Sequence, residues 1–220
     1  YARRRGDVPA SIARDIRQLY RDCLGALDTP LASLIETVGN EAVTVLTADH
    51  GEEFDHGFFD HARLYDETTR CPYLTNDPEL VPDAGSIRQI DLAPTIAASA
   101  GVDMPDGWTG DPAEYETTPI QPMLTQSELR NRIWAGVRDD GRKLIQTFDW
   151  DGTLLTEELY DLTADPDEES PVDSLPDEDA LQSALSEFVG GDDLTRILDT
   201  SVDVGIGADV ASRLEELGYK

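Results

Sequence analysis

Lysine is almost absent from this chain: Lys143 and Lys220 are the only two in 220 residues, and arginine supplies the rest of a mere 17 basic side chains. Against them stand 46 acidic residues, a formal net charge of −29. A surface so short of positive charge repels phosphate backbones and anionic bilayers, which argues against nucleic acid as a partner. It suits a salt-saturated cytoplasm, where screening relieves self-repulsion, so a halophilic source and a cytoplasmic setting are expected. Cysteine is scarce as well. Cys23 and Cys71 make no disulfide framework, and free thiols without a redox role are expected. No apolar run approaches the roughly 20 residues needed to span a bilayer, so no membrane segment is expected. No leader is visible, but the chain opens on Tyr1 rather than Met, so that absence carries little weight. Hydrophobic residues still make up 39%, enough for a packed core.

The apolar positions Ile12, Ile16, Leu19, Tyr20, Cys23, Leu24, Leu27, Leu31, Leu34, Ile35 and Val38 recur at helical spacing. Pro30 predicts a break, or the first turn of a second helix capped by Asp28 or Thr29. After the turn signal Gly39-Asn40, the run Ala42-Val43-Thr44-Val45-Leu46-Thr47 reads as a strand buried on both faces of a mainly parallel sheet. Residues 72–85 and 103–118 read as loop, and Ile87 to Ala100 as a helix ended by Gly101. Arg132 to Val137 and Lys143 to Phe148 read as strands joined by the turn Asp139-Asp140-Gly141. Leu154 to Leu162 adds another strand, residues 163–178 an acidic loop, and helices are expected near 178–189 and 207–217.

All three histidines, His50, His56 and His61, fall in the stretch from Asp49 to His61, among Glu52, Glu53, Asp55 and Asp60. Imidazole and carboxylate are the donors that hold divalent metals. The stretch follows a predicted strand directly, and ligands in open α/β sheets gather at the carboxyl ends of strands. Asp49 and His50 at such a tip can converge on one ion, with Gly51 permitting a close turn. An acidic surface loop with incidental histidines is the alternative reading.

The string Leu46-Thr47-Ala48-Asp49-His50-Gly51-Glu52-Glu53-Phe54, followed by His56-Gly57 and His61, resembles the sulfatase pattern (S/T)-x-D-H-G-E, then H-G, then a basic residue. Leu64-Tyr65-Asp66-Glu67 with Arg70-Cys71-Pro72 resembles that family's continuation. So do Ile90-Asp91-Leu92-Ala93-Pro94-Thr95-Ile96 with Ala100-Gly101-Val102, the positions of Arg138 and Lys143, and Glu158-Leu159-Tyr160-Asp161-Leu162 with Asp165-Pro166-Asp167-Glu168. Arg213 to Tyr219 is similar to the tail of related haloarchaeal sequences. The motifs agree in order and spacing over most of residues 10–219.

This resemblance to sulfatases of the alkaline phosphatase superfamily implies an α/β fold. It has a mostly parallel central sheet flanked by helices, incomplete here, and a small C-terminal antiparallel sheet plus helix. Residues 1–118 would be the C-terminal portion of the catalytic domain, and 119–220 the antiparallel strands and helices. It implies metal-dependent hydrolysis of a small-molecule sulfate ester, with Asp49 and His50 as metal ligands and His61 contacting the ester. Calcium is the first expectation for the metal. Asp-His in place of Asp-Asn also occurs in related phosphonate and phosphodiester hydrolases that use manganese, iron or zinc, because imidazole is the softer donor. His56 is expected to shape the loop, Glu52 and Glu53 to partner imidazole N–H groups, Arg70 to pair with a carboxylate, Asp91 to cap its helix through Thr95, and Tyr65 and Trp134 to lie in the core.

The family's nucleophile, a cysteine in C-x-P-S-R or C-x-A-S-R or an unmodified serine or threonine, has no counterpart. Cys23 precedes Leu24-Gly25-Ala26, and Cys71 precedes Pro72-Tyr73-Leu74. The upstream Asp-Asp metal pair and substrate histidine are missing too. The chain is therefore expected to be the C-terminal part of a longer enzyme, inactive alone. A phosphodiester or phosphonate hydrolase or a phosphotransferase of the same superfamily is the second reading, and a non-catalytic metal-binding or interaction domain the third.

Overall fold

The computed structural model describes residues 9–39, 42–57, 61–83, 86–113, 120–127 and 131–190. The chain divides into two compact units, Tyr1–Leu185 and Ser186–Lys220. Of the second, only residues 186–190, the end of a helix, are described. The predicted helix near 207–217 and the tail motif lie outside the described residues.

The first helix, α1 (Ala10–Val38), runs unbroken for 29 residues. The break expected at Pro30 does not occur. Proline removes one hydrogen-bond donor from the ladder, but here it does so on an exposed turn, where water can satisfy the freed Ala26 carbonyl. Gly39 ends the helix in the left-handed region (φ +64°), its N–H donating to Ile35 O. The apolar spacing produces a stripe, as predicted, yet no α1 residue is buried. Leu19, Leu27 and Leu34 are each about 60% exposed. The helix is tied to the loop after β1 through Arg17, which pairs with Asp55 and donates to Phe54 O, and through an edge-on contact of Tyr20 with the Phe54 ring.

The predicted strand at 42–47 is shorter and less buried than expected. β1 (Val45–Thr47) pairs antiparallel with β2 (Tyr73–Thr75), which lies in the stretch read as loop. Val45 and Leu46 are half-buried and Thr47 is exposed. Among the described residues β1 has β2 as its one strand neighbour, and no described strand pairs with its other edge. Asn76 extends the hold on this segment: its N–H donates to Thr44 O at 3.3 Å, its side-chain oxygen accepts from Thr44 N at 2.8 Å and its side-chain nitrogen donates to Ala42 O at 3.0 Å. A short helix, α2 (Asp66–Thr69), precedes β2, and α3 (Gln89–Ser99) follows it. Asp91 does not cap α3. It is fully buried, its carboxylate taking the Arg88 guanidinium and the Asp111 N–H, while Thr95 Oγ1 donates to its carbonyl.

A four-stranded antiparallel sheet follows: β3 (Gln121–Ser127), β4 (Arg132–Arg138), β5 (Arg142–Phe148) and β6 (Leu154–Asp161), in spatial order β3-β4-β5-β6. The predicted turn joins β4 to β5: Asp139 Oδ1 accepts from Gly141 N at 3.0 Å and Arg142 N at 2.7 Å, an aspartate-closed turn. A last described helix, α4 (Glu178–Val189), buries Leu181 and Leu185. Trp134, Ile145, Tyr160 and Leu162 form one cluster with Ala62, Leu64 and Tyr65. Each large side chain so buried contributes about 1.5–3 kcal/mol. The sheet thus grips the segment immediately after His61.

A second grip is ionic. Lys143 on β5 is wholly buried, and its ammonium faces Leu64 O at 3.0 Å, Glu168 Oε1 at 2.7 Å and the Asp66 carboxylate. Arg138 on β4 makes a fork onto the same Asp66, at 3.0 and 2.9 Å. Arg138 and the Lys143 ammonium hold the Asp66 carboxyl below its ordinary range despite burial, whereas burial pushes Glu168 up.

Candidate metal and ester site

Asp49 and His50 leave the tip of β1 on the exposed side of the chain. Asp49 Oδ1 accepts from the His50 N–H at 2.9 Å, and that bond, with the neighbouring ring, holds its carboxyl below the ordinary value. His50 Nδ1 lies 2.8 Å from Gly51 O. A carbonyl only accepts, so Nδ1 carries the proton and Nε2 of the neutral ring keeps a lone pair. That Nε2 stands 3.6 Å from Asp49 Oδ2. The side chains therefore converge rather than point apart. His61 stacks on His50 with centroids 4.4 Å apart and planes at 24°, and its Nδ1 lies 3.5 Å from Glu52 Oε2. The predicted site residues Asp49, His50 and His61 are thus brought together, with Glu52 beside them.

The loop between them is held from below. Glu53 does not partner an imidazole: it is fully buried and clasped by Arg63, whose Nε lies 3.1 and 2.9 Å from its oxygens. Arg63 also donates to His56 O at 2.6 Å. Burial pushes the Glu53 carboxyl up, and the guanidinium opposes this. Gly51 sits where any side chain would collide, since a Cβ would fall 2.0 Å from Glu67 O, and its N–H donates to Thr68 O at 2.7 Å. Its role is close approach, not an unusual dihedral. Arg70 is exposed and, contrary to expectation, pairs with no carboxylate among the described residues.

His56 belongs to this scaffold, as predicted. Its Nδ1 is 2.6 Å from Glu67 Oε1 and its Nε2 2.9 Å from Glu168 O, while the ring lies flat on Tyr65 at 3.7 Å. Both partners are acceptors, so both nitrogens carry protons and the ring is a cation. Burial works against that charge, but Glu67 and the Glu168 carbonyl outweigh it and raise the pKa above 6.5. Glu67, although desolvated, is held below 4.5 by His56 and by the Phe54 N–H. The two shifts set a pH window. A raised histidine stabilises fully below about 6.5 and loses this as pH rises through its folded value, and a depressed glutamate stabilises above about 4.5 and loses this as pH falls. Thermal melts should therefore show a fall in Tm above pH 6.5 in wild type, and His56→Gln should remove that slope. An identical slope in the variant would refute the assignment.

Among the described residues no group of three or more His, Cys, Asp or Glu side chains is placed to hold a metal ion. Asp49 and His50 offer two donors of suitable chemistry. Burial, with the nearby Asp49 charge, pushes the pKa of the Cys71 thiol up. Sequence reasoning missed Arg63, Glu67 and Gln89, a side chain at the start of α3 that reaches back to the β1 exit. No helix among the described residues is long and apolar enough to cross a membrane.

No family model matches the chain. It is 26% identical over 181 residues to arylsulfatase K of Xenopus laevis, covering 70% of this chain and 33% of that protein. It is 26% identical over 201 residues to an N-acetylglucosamine-6-O-sulfatase of Bacteroides thetaiotaomicron, covering 75% and 34%. A shorter match, 33% over 94 residues, covers 40% of this chain and 18% of the 2,3-bisphosphoglycerate-independent phosphoglycerate mutase of Haloarcula marismortui. A solved protein in complex with its substrate, D-glucosamine-2-N,6-O-disulfate, superposes with a TM-score of 0.56 at 24% identity, covering 80% of this chain and 38% of that one. The chain spans about a third of the length of the sulfatases it matches. Its sequence is similar, at low identity, to those of sulfatases, and its mixed α/β fold is similar to that of the solved sugar-bound protein.

Proposed function

We propose that this chain is the C-terminal part of a metal-dependent hydrolase of small-molecule sulfate esters, a sulfated sugar being the substrate class that its relatives suggest. The observation that carries the reading is the convergence of Asp49 Oδ2 and His50 Nε2 at 3.6 Å, with His61 stacked beside them. Asp49 and His50 would supply part of the shell of a divalent cation, calcium first, manganese or zinc as the softer options. The cation, when bound, neutralises charge on the non-bridging oxygens of the ester. His61, held near Glu52, donates a hydrogen bond or a proton to the leaving oxygen. The nucleophile and the remaining metal donors would come from a segment preceding this one. The exposed stripe of α1 and the edge of β1 that no described strand pairs with support such a segment, since a longer fold would cover both.

The match to a phosphoglycerate mutase favours phosphoryl transfer as a second reading. Both are tested by expressing the continuous reading frame that contains this chain and assaying an aryl sulfate and a bis-aryl phosphate with Ca2+, Mn2+ or Zn2+. Turnover of the sulfate, abolished by chelation, is the expected result, with none from the 220 residues alone. Preference for the phosphate would move the assignment to the second reading. Turnover by the 220-residue chain unaided would overturn the claim that it is part of a site.

A further inference from the structure

The Asp49–His50 pair stands on a strand of three residues, too short to fix the direction of its own exit, and His50 is secured there by a bond to its neighbour Gly51. The exit peptide needs an external hold, and α3 supplies one. Gln89, the first residue of that helix, places Nε2 2.8 Å from Ala48 O and 2.8 Å from Asp49 O. Its two amide hydrogens match two carbonyl acceptors one for one, which also fixes which end of the amide is nitrogen. The Cys71 sulfur, a weak acceptor 3.3 Å from the same nitrogen, can only share one of those two hydrogens. Two successive carbonyls on one amide define the orientation of the peptides on either side of Asp49.

We infer that Gln89 is a positioning residue, holding the Asp49–His50 pair in its converged arrangement through the main chain and without touching the ion. The inference rests on the reading of Asp49 and His50 as metal ligands. It differs from the ligand assignment because Gln89 lies 40 residues further along the chain and spends no atom on the cation. Side chains that orient ligands at one remove typically change metal affinity about 10–100-fold when lost.

Gln89→Met keeps the length and neutrality of the side chain and removes both donors. Gln89→Asn keeps the amide but withdraws it by one methylene. The probe is Mn2+ alone, titrated into the protein expressed from the continuous reading frame, which supplies the donors that Asp49 and His50 lack, with paramagnetic broadening of the His50 ring signals as the readout. The His56 ring, locked between Glu67 and Glu168, serves as the internal reference for ions spread over the acidic surface. Both variants should need about ten-fold more Mn2+ for half-broadening of His50, while Tm stays within a degree or two because Gln89 is exposed. The His50 ring nitrogen shifts should also lose the signature of a single Nδ1–H tautomer. Half-broadening within two-fold of wild type in both variants overturns the inference while leaving the ligand reading intact. A wild-type His50 that broadens no earlier than His56, and no differently in Asp49→Ala, overturns both. A Tm drop of ten degrees with unchanged His50 broadening would make Gln89 a merely structural residue.

Discussion

Lys143→Met should lower the unfolding free energy by about 3–5 kcal/mol, the usual cost of breaking a buried pair from one side. The ammonium is fully buried and faces three acceptors, Leu64 O, Glu168 and Asp66. Methionine fills much of the same volume, so the loss reads the charge and not a cavity. Asp66 would keep the Arg138 fork, but Glu168, already pushed up by burial, would lose the cation opposing that shift. Its folded pKa should then rise further above 4.5. A carboxyl whose folded value exceeds its unfolded one binds its proton more tightly when folded, so the variant should recover stability as pH falls from 8 towards 5. Urea unfolding at those two pH values checks both statements. A loss under 1 kcal/mol at pH 8, or one that does not shrink at pH 5, would contradict the burial of an unpaired carboxylate.

Asp49→Ala and His50→Ala should each lower kcat/KM of the complete enzyme by about 10³-fold, because several kcal/mol of charge stabilisation convert at about 1.36 kcal/mol per factor of ten. The two substitutions are separable from His61→Ala, for which a loss of about 10²–10⁴ follows from removing a proton or hydrogen-bond donor at the leaving oxygen. Raising the metal concentration should partly restore His50→Ala, whose defect is occupancy. It should leave His61→Ala unchanged, since that ring stacks on His50 and is assigned to the ester. Steady-state kinetics across a metal series makes the distinction. Equal rescue of both would make His61 a ligand, and rescue of neither would remove His50 from the metal shell.

Local chemistry explains which features could be read from the residues. The β4–β5 hairpin was legible because Asp139-Asp140-Gly141 closes its own turn with a side chain three residues or fewer away. The helix ending at Gly101 was legible for the same reason, its stop being a left-handed glycine. Convergence of Asp49, His50 and His61 followed from their crowding after a β-branched run. The features that escaped depend on partners distant in sequence. Glu53 reads locally as a partner for a neighbouring imidazole, whereas its burial requires Arg63 ten positions on. β2 hid in a Pro- and Asp-rich stretch because three residues carry too little periodicity, and β3 contains Pro122, which speaks against a strand interior. At Pro30 the local rule failed, since solvent tolerates a missing bond that a buried helix would not. Burial of β1 was over-read because the apolar run reports what the strand is suited to, not what stands next to it here.

The bare stripe of α1 sits on a polypeptide whose copies each carry a net charge of −29. At about 0.1 M salt, charges act over about 10 Å and hold copies apart; at about 1 M that reach shrinks to about 3 Å. Attraction between exposed leucines does not fade in the same way. Concentrated salt, which screens so anionic a molecule, would therefore let copies of it associate through this helix.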